Sequence, residues 1–230
     1  MSQPLPSKIP TWPRERDLST YSKYTAIDFE RELSDATAWM DVGCRTGKAL
    51  YESKKFSNAS LLGVNAHQIE LLPGITPLYS TIPHDDLIYT KFRKKIDILT
   101  DIYSAFSYEN DPIAVLVYEA CLLKSGGKAV IVTLEAKLGN RINRQDLTSF
   151  FEKELGQQIA FQRFRTYSDN TRTPISSLRI TITGSCRSKH SLETLLLKAR
   201  QMIGVPKMKK IIYSPTDKST ELWKIVYEKT

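Results

Sequence analysis

Asp41-Val42-Gly43-Cys44-Arg45-Thr46-Gly47 decides how the rest of this chain is read. It closes the apolar run Ala38-Trp39-Met40-Asp41-Val42, which is too brief for a helix and suits a buried strand. Gly43 stops the run, and the spacing predicts a helix from Gly47 to about Lys55. A strand that enters a helix through glycines leaves two things at the turn. The missing Cβ atoms let a ligand come close to the backbone, and the first helical turn presents N–H groups that have no partner within the helix.

The pattern repeats on both sides. Upstream, Tyr21, Tyr24, Ile27, Phe29 and Leu33 predict one amphipathic helix over 19–34. Before it stand Pro4, Pro6, Pro10 and Pro13, which predict an extended arm. Downstream, Leu61-Leu62-Gly63-Val64 reads as a second strand closed by Asn65, Pro77 to Ile82 as a third and Ile96 to Ile102 as a fourth. A helix with proline in its first turn is predicted from Pro112 to Leu123. Gly126-Gly127 then punctuates, and Ala129 to Leu134 is the most strand-like run in the chain. Strands alternating with helices predict parallel β-α units with right-handed crossovers.

After Asn143 the rhythm changes. A helix over about Gln145 to Leu155 leads to two longer strands, Ile159–Tyr167 and Ser176–Gly184. Too few residues separate them for a helical crossover, so this pair is antiparallel. The expected fold is α/β: a doubly wound, mostly parallel seven-stranded sheet with an antiparallel last strand. An N-terminal helix precedes it, and a C-terminal extension follows with a helix over Ser191–Ile203 and candidate strands Lys209–Tyr213 and Leu222–Glu228. The expected division is an arm at 1–18, the sheet domain at 19–187 and the extension at 188–230.

Composition narrows the class. A 230-residue chain with 41% hydrophobic and 25% charged residues is ordinary for a globular protein. No apolar run approaches the roughly 18 residues of a membrane-spanning helix. The start of the chain lacks the basic-then-apolar layout of a signal peptide, which sets a cytoplasmic expectation. Cys44, Cys121 and Cys186 lie far apart, are odd in number and lack metal-ligand spacing, so they read as free thiols. The net charge of +8 is uneven: residues 1–136 carry 15 Lys and Arg against 17 Asp and Glu, and 137–230 carry 18 against 8. Such a basic half attracts RNA or acidic protein surfaces, or is simply a solvated face.

With these elements in order, the chain resembles the class I S-adenosylmethionine-dependent methyltransferases over roughly residues 25–185. Asp41 to Gly47 resembles that family's first motif, an acid followed by glycines at alternate positions. Asn65 stands where the family usually has an acid on the ribose hydroxyls, and Asp85 where it often has one near the adenine amino group. Asp97 to Tyr103 resembles the fourth-strand segment whose end faces the transferable methyl. Leu122-Leu123-Lys124-Ser125-Gly126-Gly127-Lys128 resembles the family's leader into the fifth strand. The resemblance implies S-adenosylmethionine as cofactor, held by Asp41, Gly43, Cys44, Arg45, Gly47, Asn65 and Asp85. It departs from the pattern twice, with Arg45 for the middle glycine and Asn65 for the ribose acid.

Methyl transfer from a sulfonium is an in-line displacement in which the cofactor brings the difficult chemistry. The protein aligns the nucleophile, and a base is needed only where the acceptor must lose a proton early. The resemblance puts Asp101 and Tyr103 at the methyl-facing end, to accept a proton or hold the acceptor. The competing reading has Asp101 capping the next segment and Tyr103 packing under a loop. His67 is expected at the start of a helix after the second strand, and His84 in a loop. Phe161, Phe164 and Tyr167 alternate with Arg163 and Arg165, as a nucleic-acid face or a half-buried strand would. The expected function is methyl transfer to an unidentified acceptor: a small molecule, a protein or RNA. The alternatives are a binding or scaffold protein with a decayed pocket, or a nucleic-acid-binding module using the basic half.

Overall fold

The computed structural model describes residues 16–109, 111–138, 142–167 and 174–204. Most of the proline-rich arm and both candidate strands after residue 205 lie outside the described residues. In chain order the elements are α1 (Leu18–Thr25), α2 (Phe29–Glu32), β1 (Ala38–Val42), α3 (Lys48–Ser53), β2 (Ser60–Asn65), β3 (Thr76–Tyr79), α4 (Asp86–Phe92) and β4 (Ile96–Ile102). There follow α5 (Ala105–Tyr108), α6 (Pro112–Leu122), β5 (Leu123–Leu134), α7 (Glu135–Leu138), α8 (Arg144–Phe150), a π-helical turn (Phe151–Leu155), β6 (Gln158–Tyr167), β7 (Pro174–Thr183) and α9 (Leu192–Ile203).

Seven strands among the described residues form one sheet in the order β3-β2-β1-β4-β5-β7-β6. The pairs from β3 to β5 are parallel. β7 runs antiparallel to both β5 and β6. The chain steps outward from β1 to β3, then returns to lay β4 on the other side of β1. Strand order therefore reverses between β1 and β4, which opens a crevice beyond their carboxyl ends.

Both faces of the sheet are covered, as a parallel sheet requires. Side chains alternate across it with the two-residue period of a strand. Met40, Val42, Ala129 and Ile131 point into a core shared with α6, α8 and α9. Trp39, Val130 and Val132 point the other way, into a smaller core with α1, α2 and α3. α9 seals the larger core through Leu195, Ala199 and Ile203, one residue per turn of its apolar stripe.

Three local departures from the sequence reading have physical causes. The helix predicted over 19–34 is two. Ala26 takes a left-handed conformation (φ 56°), the Thr25 hydroxyl accepts from the Ile27 N–H at 3.2 Å, and Asp28 caps a new start by accepting from the Arg31 N–H. β5 begins at Leu123 rather than Ala129. Leu123 pairs with Ile96, the register then slips, and pairing resumes at Lys128 with Ile98. Gly127 makes that bulge possible, since a Cβ there would lie 2.7 Å from the Ile96 carbonyl oxygen. The link from β2 to β3 carries no helix among the described residues, so His67 sits in a bend, not at a helix start.

Candidate functional site

The crevice between β1 and β4 begins with a buried acid. Asp41 sits near the end of β1, 1% exposed, where Oδ2 accepts the Tyr21 hydroxyl and Oδ1 the Thr100 hydroxyl, each at 2.7 Å. Thr100 in turn accepts the Trp39 indole N–H at 3.0 Å. Burial pushes the Asp41 carboxyl up to about 7, against the pull of those two hydroxyls and the Arg16 guanidinium. Asp41 therefore supports the turn from below and ties it to α1.

The turn itself is a left-handed staircase, with positive φ at Gly43 (72°), Arg45 (58°) and Gly47 (78°). Glycine takes this conformation freely, but arginine does not, at a cost of roughly 1–2 kcal/mol. Asn65, at the end of β2, meets that cost. Its Oδ1 accepts the Arg45 N–H at 2.9 Å, and its Nδ2 donates to the Arg45 carbonyl at 2.8 Å. The amide thus clamps both sides of the strained residue, and it also donates to the Cys44 sulfur at 3.3 Å. An aspartate or glutamate lacks the second donor. The two departures from the family pattern, Arg45 and Asn65, are one compensated pair. Cys44 is buried beneath the clamp, and burial pushes its thiol up, away from nucleophilic use.

Across the crevice, Asp101 is wholly buried near the end of β4, and its two oxygens accept the backbone N–H groups of Ser104 (2.9 Å) and Phe106 (2.7 Å). That is the capping geometry. Burial raises Asp101 to about 6. Glu119 of α6 lies buried beside it, and burial together with the Asp101 charge pushes the Glu119 carboxyl well above its usual range. Tyr103, at φ 51°, sends its hydroxyl to Ser177 of β7 at 2.6 Å and to Thr166 of β6 at 3.3 Å. The Arg16 guanidinium lies 5.5 Å over the Tyr103 ring and donates to the Ile102 carbonyl at 3.1 Å.

The structure brings Asp41, Gly43, Cys44, Arg45, Gly47 and Asn65 together at one turn, with Asp101 and Tyr103 on the facing strand end. Asp85 caps α4, accepting from the Ile88 N–H at 2.8 Å, and also bonds the Ser80 side chain, which holds its carboxyl below the usual range; the Ser80 N–H in turn donates to the Asn65 carbonyl at 2.9 Å. Three residues of the site escape sequence reading. Arg16 lies next to the proline-rich arm, Tyr21 looks like helix core, and Ser104 has no motif. Tyr21 and Arg16, with Gly43 to Thr46 and Lys48, line a concavity of about 220 Å³, open solvent included.

Strand order decides the fold: 3-2-1-4-5 in parallel, then a reversed seventh strand inserted before the sixth. The chain has the Rossmann-like methyltransferase fold. No protein-family model and no curated protein matches it. Among solved structures, it is similar to a 1,6-didemethyltoxoflavin-N1-methyltransferase of Burkholderia thailandensis with bound S-adenosylhomocysteine (11% identity, TM-score 0.47, 72% of this chain and 80% of that one). It is also similar to a precorrin-6y C5,15-methyltransferase of Geobacter metallireducens (12%, 0.43, 68% and 85%). A third is a precorrin 8w decarboxylase of Methanobacterium thermoautotrophicum (14%, 0.44, 73% and 88%). Likeness at this level adds nothing to the strand order and says nothing of substrate.

Set against S-adenosylmethionine, the crevice fits in one half. Arg16, Arg45 and Lys48 surround the glycine turn and suit the carboxylate of an amino acid. The ribose half is closed, because Asn65 at the end of β2 spends its amide on Arg45; on the opposite, β4 side the Ser104 side chain lies directly against Gly43.

Proposed function

We propose that this chain binds S-adenosylmethionine at the β1 turn and transfers its methyl group to an acceptor. One observation carries the reading: a glycine turn with three left-handed residues, braced by the buried Asp41 at the strand-order reversal. The backbone of Gly43 to Gly47 would hold the methionine portion, with Arg16 and Lys48 facing its carboxylate. Bound there, the cofactor supplies an electrophilic methyl. The chain's own residues supply position. Asp101 fixes the Ser104–Phe106 backbone, and Tyr103 ties the end of β4 to β6 and β7. In this role Asp101 and Tyr103 act as positioning groups; a general base is not required for an acceptor with a free lone pair.

The closed ribose half adds a condition. Asn65 must let go of Arg45 before it can meet a ribose hydroxyl, so the binding-competent form is a minor population and the apparent affinity falls by that fraction. The same closure favours a second reading, a methyltransferase-fold binding or scaffold protein whose cofactor pocket has decayed. Calorimetric titration with S-adenosylmethionine and S-adenosylhomocysteine, followed by an acceptor screen, separates the two. Saturable binding of both supports the first reading, and a folded sample with no heat for either leaves the second. For the acceptor or partner, the excess positive charge of residues 137–230 points to RNA or an acidic protein surface. Affinity that does not fall with added salt removes that part of the proposal.

A further inference from the structure

Two of the three cysteines that look unrelated in sequence meet in the fold. Cys121 closes α6, and Cys186 sits in the irregular segment between β7 and α9, 65 residues away. Their sulfurs are 3.5 Å apart, both thiols are free, and both residues are fully buried. The crevice at β1 plays no part in this pair, which lies near the amino ends of the parallel strands. There the Lys94 N–H donates to the Cys121 carbonyl at 3.1 Å. The Arg93 guanidinium reaches the carbonyls of Ser188 and His190, each at 3.3 Å, and so holds the segment that carries Cys186.

We propose that Cys121 and Cys186 form a reversible redox site, in which a hydroperoxide such as hydrogen peroxide converts the thiol pair to a disulfide. Cys186 is the attacking sulfur. The hydrogen bond from Cys121 lowers its thiol to about 6 against the opposing effect of burial, helped by the Ser188 N–H and by the charges of Lys94 and Arg93. The Cys186 thiolate displaces hydroxide from the peroxide oxygen and becomes a sulfenic acid. The Cys121 sulfur then attacks the Cys186 sulfur, the S–O bond breaks, and the oxygen leaves as water with the Cys121 proton. In total two thiols and one peroxide give one disulfide and two waters. A thiol such as glutathione reverses the change by exchange.

Geometry sets this pair apart from inert buried thiols. Only one of the two sulfurs belongs to regular structure. Residues 185–190 make neither helix nor strand, so a local shift of that segment brings the sulfurs to bonding distance and admits a small oxidant. The disulfide would pin the start of β5 and the end of α6 to the segment that leads into α9.

The test uses the intact, reduced chain with stoichiometric hydrogen peroxide under native conditions, then alkylation and peptide mapping. The expected result is a loss of about 2 Da and a Cys121–Cys186 cross-linked peptide, with Cys44 unmodified. Adding reduced glutathione returns both alkylatable thiols. In the Cys121→Ser variant the cross-link is lost and oxygen adducts accumulate on Cys186; Cys44→Ser cross-links as the parent does. A cross-link that appears only in denaturant overturns the proposal, and so does oxidation confined to Cys44. Oxygen adducts on Cys186 in the parent, with Cys121 still alkylatable, also overturn it.

Discussion

Asn65→Asp restores the acid that the methyltransferase pattern has at this position, and it should destabilise the chain. Asn65 accepts one hydrogen bond from the Arg45 N–H and donates one to the Arg45 carbonyl, at 2.9 and 2.8 Å in a site 4% exposed. Aspartate keeps the first and sets a carboxylate oxygen against the Arg45 carbonyl in place of the second. The lost bond is worth about 1 kcal/mol, and a buried, unsatisfied pair of acceptors adds roughly 1–3 more. Taking about 3 kcal/mol in total, and roughly 2–4 °C per kcal/mol for a chain of this size, the melting midpoint falls by about 6–12 °C. The deficit shrinks as pH falls, because the introduced carboxyl on gaining a proton can donate to Arg45 again. The freed carboxylate is also a stronger partner for ribose hydroxyls than the clamped amide, so S-adenosylhomocysteine should bind several-fold more tightly. Differential scanning calorimetry, with and without that ligand, reads both effects. A midpoint within about 1 °C of the parent refutes the clamp as described.

The remaining predictions concern the frame around the site. Asp41 and Asp101 have carboxyls raised by burial to about 7 and about 6, so the folded chain holds protons that the unfolded chain releases from about pH 4 upward. Their contribution to stability is therefore fully present below about pH 4, declines above it and is gone once pH has risen through about 7; a melting midpoint that climbs from pH 5 to pH 8 contradicts this. Asp41→Asn should flatten that slope while leaving the chain folded. Gly127→Ala should destabilise by about 1–3 kcal/mol in urea denaturation, because it drives a Cβ into the Ile96 carbonyl; a loss under about 0.5 kcal/mol refutes the bulge geometry. Arg179 of β7 donates to the Tyr24 carbonyl (2.8 Å), the Gln162 side chain (2.7 Å) and the Lys23 carbonyl (3.4 Å), tying α1 to the sheet. Arg179→Met should cost roughly 2–3 kcal/mol, and a loss under about 0.5 in the same assay removes that tie.

What could be read from the chain follows from how local each signal is. The β1 run, the glycine turn and the apolar stretch from Ala129 to Leu134 are short-range patterns, and the sheet contains all three. The antiparallel pair was legible because a loop after Tyr167 too short for a crossover leaves no other choice. The broken helix at Ala26 turns on a single capping aspartate, Asp28, competing with an apolar stripe that continues through Phe29 and Leu33. Signals of that size are lost beneath the stripe. The site divides in the same way. Asp41, Gly43, Gly47 and Asn65 could be named because one turn and one strand end carry them. The engagement of Asn65 with Arg45 and the closure of Gly43 by Ser104 are contacts between segments, and spacing along a chain holds no record of them. Cys121 and Cys186 make the same point, since only the packing of the β7–α9 segment against α6 brings them together.

The most direct measurement of the central claim is the crystal structure of the intact chain grown with S-adenosylhomocysteine. The account predicts ligand density along Gly43 to Gly47, its carboxylate facing Arg16 and Lys48, and the Asn65 amide turned from Arg45 toward the ribose. A saturated crystal with the Asn65–Arg45 clamp intact and no ligand at the turn would contradict it.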